Sequence, residues 1–155
     1  MAKESMKARE RKREKLAAKY AEKRKALKEA GDYEALMIDQ DGYVTEAGSS
    51  SFFYIRGNDL FVRPVTNEIL HGITRQTMLR VAKQMDLKFV ERVYKLDEVL
   101  EADEALITAS SIYVLPVSKI DDHVVADGQA GPFTIALRKA YLETARAEFY
   151  QAEPN

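Results

Sequence analysis

The chain has 155 residues, of which 46% are hydrophobic, and a formal net charge of −1, which suits a globular protein with one core. It has no cysteine and only two histidines, which excludes disulfides, thiolate metal sites and a histidine-based zinc site, so we predict no bound metal. No apolar stretch approaches the length of a membrane span and no signal peptide is visible, so we expect a cytoplasmic protein without membrane contact.

The charge is divided unevenly along the chain. Residues 1–30 hold 12 Lys and Arg against 5 Asp and Glu, whereas residues 31–155 hold 12 against 20. This pattern is typical of a basic arm on an acidic domain. Residues 3–30 contain neither proline nor glycine and are rich in helix-forming residues, which predicts a helix over about 14–30 that ends at Gly31. Apolar residues at helical spacing within it are expected to dock the helix. They are Leu16, Ala17, Tyr20, Ala21, Leu27 and Ala30.

The rest of the chain alternates strand and helix signals, which predicts a mixed α/β (α+β) domain. The predicted strands lie at 33–38, 51–55, 60–64, 89–94, 105–108 and 112–120. The predicted helices lie at 73–85, 96–100 and 133–149. Gly57, Asn58 and Asp59 between the second and third strands are a strong hairpin signal. Pro132 suits the first turn of the closing helix, because its missing N–H is not needed there.

Two segments have the composition of a ligand-binding site. In residues 44–53, Glu46 is followed by small residues that let backbone amides and hydroxyls approach a ligand closely. In residues 69–75, Gly72 precedes an apparent helix whose first N–H groups would bind phosphate. A carboxylate near a phosphate site predicts a phosphorylated ligand with a cationic ring, and pyridoxal phosphate fits that description. Taken singly, each feature is also common at an ordinary strand end or first helical turn.

These segments resemble the class IV (fold-type IV) pyridoxal-phosphate-dependent aminotransferases. Their sequences resemble the D-alanine (D-amino-acid) type more than the branched-chain type. The likeness continues through residues 103–111, 114–117 and 127–132 and covers roughly residues 30–148. It implies a C-terminal cofactor-binding domain over 32–150, with a curved, barrel-like sheet and flanking helices. It also implies transamination of D-amino acids or branched-chain amino acids with a 2-oxo acid, pyridoxal 5′-phosphate as cofactor, and a homodimer.

The resemblance also implies roles for individual residues. Glu46 would contact the pyridine nitrogen and keep it protonated, so that the ring can act as an electron sink. The cofactor-binding residues implied are Glu46, Ser50, Leu70, Ile73, Thr74 and Ser110. The two residues at the start of the helix and Ser110 would bind the phosphate, Leu70 would support one ring face, and Ser111 would line the substrate side. Ser51 stands where the family often has an asparagine.

The Schiff-base lysine of the family is not found. The corresponding distance upstream of Glu46 leads to Lys12 and Lys15, in a strongly charged helical segment where both are expected to lie in water. A lysine becomes nucleophilic through desolvation or a cationic neighbour in a pocket. We therefore expect that the small domain of the family is absent and that this chain alone is not active.

The N-terminal segment has a different resemblance. Residues 1–36 are similar to the N-terminal arm of bacterial small-subunit ribosomal protein fourteen, which implies contact with RNA through residues 1–30. This predicts a chimera in which a basic helical arm over 1–31 is joined to the aminotransferase-like domain. The alternatives to a cofactor-binding transaminase domain are therefore an RNA-associated, ribosomal-protein-like chimera and an inert fusion.

Overall fold

The computed structural model describes residues 7, 11, 14, 18, 21–22, 25–26, 29–66, 69 and 72–151, without the side chains of 149–151. It divides into two compact units, Met1–Ala35 and Leu36–Asn155. Among the described residues, no helix combines the length and apolar character needed to cross a membrane.

The first unit is helical at every described position up to Glu29. The N–H of Ala30 donates to the carbonyl of Ala26 at 3.0 Å, and Gly31 then adopts a φ of 85°. This left-handed conformation is the one in which glycine commonly ends a helix, so the predicted helix end is confirmed. Ala21 and Ala30 of the predicted docking stripe are exposed. The other four members of that stripe lie outside the described residues.

The second unit has a central sheet and flanking helices. Its described strands are β1 (Leu36–Ile38), β2 (Val44–Ala47), β3 (Ser51–Arg56), β4 (Asp59–Val62), β5 (Lys88–Glu91), β6 (Glu104–Ala109), β7 (Tyr113–Pro116), β8 (Lys119–Ile120) and β9 (His123–Val124). Its described helices are α1 (Ile73–Ala82), α2 (Leu96–Leu100) and α3 (Pro132–Gln151). The central sheet has the order β5-β4-β3-β6-β7, and all its pairs are antiparallel except β4–β5.

Two antiparallel strand pairs, β1–β2 and β8–β9, form separate two-stranded sheets. The predicted mixed α/β fold with flanking helices is confirmed. None of the described sheets closes on itself, so the architecture is an open sheet rather than a barrel.

Both faces of the central sheet carry buried side chains. Successive side chains of a strand point to opposite faces, and each face packs in a cluster of its own. On one face, Phe52 and Ile107 pack in a cluster that also includes Val99 of α2. On the other, Phe53 and Leu106 pack with residues of α1 and α3. The face that carries Phe53 and Leu106 is called the helix face below.

The closing helix α3 begins against a buried glutamate of the sheet. Glu104, only 6% exposed, accepts hydrogen bonds from the N–H groups of Phe133 at 2.9 Å and Thr134 at 2.7 Å. A carboxylate at this place satisfies two of the unpaired N–H groups of the helix and complements its dipole. Gly131 makes room for it, since a Cβ at that position would overlap with Cδ of Glu104.

Several elements differ from the sequence-based prediction. The strands predicted over 33–38, 60–64 and 89–94 are shorter, as β1, β4 and β5, and β9 is not predicted. The helix predicted over 73–85 ends at Ala82, and the N–H groups of Gln84 and Met85 form tighter i→i−3 bonds. The single strand predicted over 112–120 is wrong, because β7 ends at Pro116 and β8 starts separately. A proline has no N–H to continue a ladder, and it lies here in an edge strand. The sequence pattern does not predict β2, which coincides with the segment interpreted as a ligand-binding loop.

We expect Gly131→Ala to destabilise the protein by about 1–3 kcal/mol, because the added methyl group displaces Glu104 from the start of α3. Gly72→Ala is the matched control, since Gly72 also precedes a helix but a Cβ there meets no atom within 4 Å. We expect it to cost less than about 1 kcal/mol. Urea unfolding of both variants measures the difference. Equal losses would show that the contact with Glu104 is not the cause.

A partly exposed ion pair links β5 to α2. Glu98 accepts hydrogen bonds from Nη1 of Arg92 at 3.2 Å and Nη2 at 2.5 Å, and also from the N–H of Lys95 at 3.1 Å. The bonds from Arg92 lower the pKa of Glu98 below its ordinary value of 4.5, with burial acting in the opposite direction. A lowered folded-state pKa contributes stability above the unfolded-state pKa, and this contribution is lost as the pH falls through the folded-state pKa.

We therefore expect Glu98→Gln to lower the free energy of unfolding at pH 7 by about 1 kcal/mol or less, because both side chains are partly exposed. The difference from wild type should shrink as the pH falls below the ordinary glutamate range. Glu101→Gln, which removes the more exposed pair with Arg56, should cost less. Urea unfolding from pH 7 to pH 3 measures both variants. A difference that is independent of pH would contradict the assignment to this ion pair.

Candidate functional site

The carboxylate of Glu46 lies at the end of β2, where the chain turns into β3. The turn is closed by the N–H of Ala47, which donates to the carbonyl of Ser50 at 2.9 Å. Glu46 is half-buried, and its Oε1 accepts a hydrogen bond from Oγ of Ser51 at 3.2 Å. The predicted site residue Ser50 is buried. The small residues of this segment therefore form a tight turn that holds one carboxylate beside the first residue of the central strand.

Strand pairing places a second hydroxyl group next to this turn. Ser51 and Thr108 are Cα partners in the β3–β6 ladder. By alternation, both side chains lie on the helix face with Phe53 and Leu106. Thr108 is only 2% exposed, and within the described part of the chain its Oγ1 has no hydrogen-bond partner. A buried hydroxyl without a partner costs free energy, which a ligand can recover.

Sequence reasoning alone missed Thr108. The available signal is its position two residues after Leu106 in a buried strand, which puts a polar side chain on the same buried face as Leu106. That signal becomes specific only when the partner strand and its register are known, and neither follows from local sequence.

The predicted residues Ser110 and Ser111 lie just beyond β6, in the turn to β7. The N–H of Ile112 donates to the carbonyl of Ala109 at 3.2 Å and closes this turn. Both serines are exposed. Because antiparallel β3 begins where β6 ends, Ser110 and the Glu46–Ser51 pair lie at the same end of the sheet.

The N-terminus of α1 has no side-chain cap. Gly72 occupies the N-cap in an extended conformation, and the first intrahelical bond runs from the N–H of Gln76 to its carbonyl at 3.1 Å. The N–H groups of the preceding helical residues therefore have no intrahelical acceptor. Of the predicted phosphate-binding residues, Thr74 is buried, whereas Ile73 is 82% exposed. Leu70 lies outside the described residues.

Arg75 connects the first turn of α1 to the helix face. It is 5% exposed, its Nη2 donates to the carbonyl of Arg63 at 2.6 Å, and its guanidinium lies 5.8 Å from the ring centroid of Phe53. Burial lowers the pKa of Arg75, and the carboxylates of Glu91 and Glu46 act in the opposite direction. The carboxylate of Glu46 therefore favours the charged form of Arg75.

The residues brought together are thus a half-buried carboxylate, three hydroxyl-bearing side chains and a buried guanidinium. The hydroxyl groups belong to Ser51, Thr108 and Ser110, and the nearby helix α1 starts without a side-chain cap. This set suits an organic ligand with a cationic and an anionic end. Among the described residues there is no group of three or more side chains able to hold a metal ion.

The family model of amino-transferase class IV matches residues 6–120. The chain belongs to the class IV aminotransferase family. Over 120 residues it is 37% identical to the D-alanine aminotransferase of Bacillus licheniformis, a match that covers 77% of this chain and 42% of the relative. Over 121 residues it is 39% identical to the branched-chain-amino-acid aminotransferase of Pseudomonas aeruginosa, covering 76% and 39% of the two chains.

Solved structures of the family share the fold. The branched-chain amino acid aminotransferase of T.th., complexed with N-(5′-phosphopyridoxyl)-L-glutamate, superposes with a TM-score of 0.78 at 32% identity, covering 83% of this chain and 43% of that one. The Thermobaculum terrenum enzyme in its PLP form gives 0.76 at 30% identity, with 84% and 44% covered. The chain therefore spans about two fifths of the length of these relatives.

These comparisons do not test two of the predictions. D-alanine and branched-chain enzymes both occur among the relatives, so the predicted preference for the D-alanine type stays a prediction. The family match begins at residue 6, inside the segment 1–36 that resembles a ribosomal arm. That second resemblance also stays a prediction.

Proposed function

We propose that residues 32–150 form the pyridoxal 5′-phosphate-binding domain of a class IV aminotransferase, which transfers amino groups between a D- or branched-chain amino acid and a 2-oxo acid. The observation that supports this most is the half-buried Glu46, bonded to Ser51 beside the buried hydroxyl of Thr108, for which the described residues supply no hydrogen-bond partner. The uncapped start of α1 supplies the complementary anion site. When bound, the cofactor supplies an electron sink for amino-group transfer.

In this proposal each residue has one task. Glu46 holds the proton on the pyridine nitrogen, because a nearby carboxylate favours the cationic form of a base. Ser51 orients Glu46 through the bond of 3.2 Å. The hydroxyl of Ser110 binds the phosphate, together with the first-turn N–H groups of α1 at Ile73 and Thr74.

The remaining assignments rest on the family resemblance. Ser50 contacts the cofactor from the β2–β3 turn, Leu70 supports one ring face, and Ser111 lines the substrate side. Thr108 is added on structural grounds, because its buried hydroxyl needs an acceptor that the described protein atoms do not supply.

We further propose that this chain does not itself supply the lysine that binds the cofactor covalently. All five lysines within residues 36–151 are exposed, whereas a nucleophilic lysine needs desolvation or a cationic neighbour. They are Lys83, Lys88, Lys95, Lys119 and Lys139. The earlier candidates Lys12 and Lys15 lie outside the described residues. In this proposal the chain binds the cofactor reversibly and has incomplete catalytic equipment.

We expect weak, reversible binding of pyridoxal 5′-phosphate, and weakening by Glu46→Gln of about ten- to a hundredfold, because a hydrogen bond to a charged group is lost. Binding of inorganic phosphate should not change, since Glu46 faces the ring end of the ligand. Equilibrium dialysis with both ligands separates the two effects. Borohydride reduction followed by peptide mapping tests for covalent attachment, and no stoichiometric product is expected.

Glu91→Gln is the matched control, because Glu91 is an exposed carboxylate that also acts on Arg75 but lies outside the proposed ring site. It should leave cofactor affinity within about twofold of wild type, as expected for an exposed charge. Equal weakening by both substitutions would assign the effect to the charge on Arg75 rather than to ring contact. Stoichiometric reduction onto Lys12 or Lys15 would contradict the proposed absence of a covalent lysine.

A second candidate function is RNA association through residues 1–30, with the aminotransferase-like domain as a passenger in a chimera. The charge of this segment favours it, since 12 Lys and Arg face only 5 Asp and Glu. Clustered basic residues neutralise phosphates and release counterions, which gives salt-dependent affinity with little sequence preference. No aromatic residue precedes Tyr20, so the first part of the arm has no side chain on which bases could stack.

If the arm binds RNA, we expect affinity to fall by roughly tenfold or more between 50 and 200 mM salt and to depend little on sequence. The acidic remainder of the chain repels a polyanion, so the intact protein should bind more weakly than a peptide of residues 1–30. Filter binding at both salt concentrations measures the two effects. Salt-independent or sequence-selective binding by the full chain would mean that the domain takes part in recognition.

A further inference from the structure

The turn from β6 to β7 ends in a residue with an unusual backbone conformation. Tyr113, the first residue of β7, has a φ of 62°. Residues other than glycine seldom adopt this left-handed conformation, because Cβ crowds the carbonyl oxygen that follows. Such a residue persists only where its surroundings hold it in place. The two residues at the middle of the turn, Ser110 and Ser111, come just before it.

One nitrogen of α3 bonds to the carbonyls on either side of this residue. Nη1 of Arg138 donates to the carbonyl of Ile112 at 2.9 Å and also to the carbonyl of Val114. The N–H of Val117 donates to the carbonyl of Ala105 at 2.8 Å, so alternation along β7 turns the carbonyl of Val114 away from β6. Because β7 is an edge strand, the bonds from α3 do not compete with the sheet.

The side chain of Tyr113 packs on the same helix. The centre of its ring lies 5.6 Å from that of Tyr141, with the two ring planes tilted by 33°. Tyr141 is 7% exposed, so it provides a fixed surface for this contact. Arg138 and Tyr141 are three residues apart on α3 and therefore lie on one side of it. The contacts that these two residues make with Ile112, Tyr113 and Val114 are called the α3 clamp below.

We propose that the α3 clamp fixes the direction of the hydroxyl groups of Ser110 and Ser111, and that Arg138 and Tyr113 are positioning residues for the cofactor phosphate. This inference rests on the proposed phosphate-binding role of Ser110. A left-handed residue changes the direction of the chain where it enters β7, so it fixes the turn before it. Without the bonds from Arg138, rotation at Tyr113 to a negative φ relieves the strain and displaces the two serines.

Hydrogen exchange of the full chain without ligand tests the clamp itself. Arg138→Met keeps a long side chain but donates no hydrogen bond. We expect protection of the N–H of Ile112, which closes the turn, to fall by roughly tenfold. Protection of the N–H of Leu106, within β6, should fall by less than about threefold, because the opening is local. Adding Tyr113→Gly to Arg138→Met should restore most of the protection at Ile112, since glycine adopts a positive φ without strain.

A second pair of variants keeps Arg138 and therefore covers the case in which Arg138→Met does not fold. Tyr113→Ala and Tyr113→Gly both remove the ring contact at a position that is 40% exposed, and they differ only in Cβ. We expect protection of the N–H of Ile112 to be at least about threefold lower in Tyr113→Ala than in Tyr113→Gly, because only alanine is strained in the left-handed conformation. Equal protection in the two variants would contradict the role of backbone strain.

Equilibrium dialysis with inorganic phosphate tests the consequence for the proposed site. Arg138→Met should weaken phosphate binding by about five- to tenfold, because the serine hydroxyls are displaced, and adding Tyr113→Gly should recover at least about threefold of this loss. Lys139→Met is the matched control, since it removes the exposed positive charge next to Arg138 on α3. It should weaken phosphate binding by less than about twofold.

Three results would overturn the proposal. They are unchanged protection of Ile112 in Arg138→Met, equal weakening of phosphate binding by Arg138→Met and Lys139→Met, and no recovery of either property with Tyr113→Gly. The second result would assign the effect on phosphate to charge rather than to position. A wild-type chain that binds no phosphate, while Ile112 responds to the variants as expected, would support the clamp and contradict the phosphate site of the proposed function.

Discussion

The antiparallel pairing of β3 with β6 determines where the candidate functional groups of this domain lie. At one end of the ladder, Ser51 pairs with Thr108, which places the Glu46 turn and the serines after β6 at a common edge. At the other end, Ile55 pairs with Glu104, which receives the first N–H groups of α3. A shift of one residue would turn every side chain of one strand to the opposite face. Because both faces are buried, such a shift would disrupt the core, the Glu46 turn and the contact between Glu104 and α3 together.

The two carboxylates near the ends of this ladder have different surroundings. Glu104 is 6% exposed and is bonded to two backbone N–H groups, so its negative charge is used to start a helix. Glu46 is only half-buried and accepts a hydrogen bond from a neutral hydroxyl at 3.2 Å, and in the proposed function its charge serves a ligand. A search for buried acids alone would rank Glu104 first. The hydrogen-bond partners, rather than the burial, distinguish the structural group from the candidate catalytic one.

Local sequence predicts the parts of this structure that local interactions determine. The helix end at Gly31, the hairpin at Gly57 and the existence of three helices after residue 70 follow from turn chemistry and apolar spacing. Thr108 and Glu104 could not be predicted, because their roles depend on partners 57 and 29 or 30 residues away along the chain. The break between β7 and β8 could not be predicted either, because the apolar residues continue past Pro116, where the edge strand ends. The assignments of Glu46, Thr74 and Ser110 rest on the family resemblance. A family motif can indicate residues that are distant in the chain but close in the fold.

The basic side chains of this domain differ in burial, and in the proposed function they therefore have different roles. Arg75, 5% exposed, lies in the first turn of α1, and carboxylates oppose the lowering of its pKa by burial. Its positive charge can therefore act on a bound phosphate without being screened by water. The lysines of the same unit are all exposed, so none has the desolvation that a nucleophilic amine needs. In the proposed function, affinity for the cofactor and formation of a covalent bond to it therefore depend on different groups. In the proposed function the domain binds the cofactor without covalent attachment, because neither the bond between Ser51 and Glu46 nor the start of α1 involves a lysine.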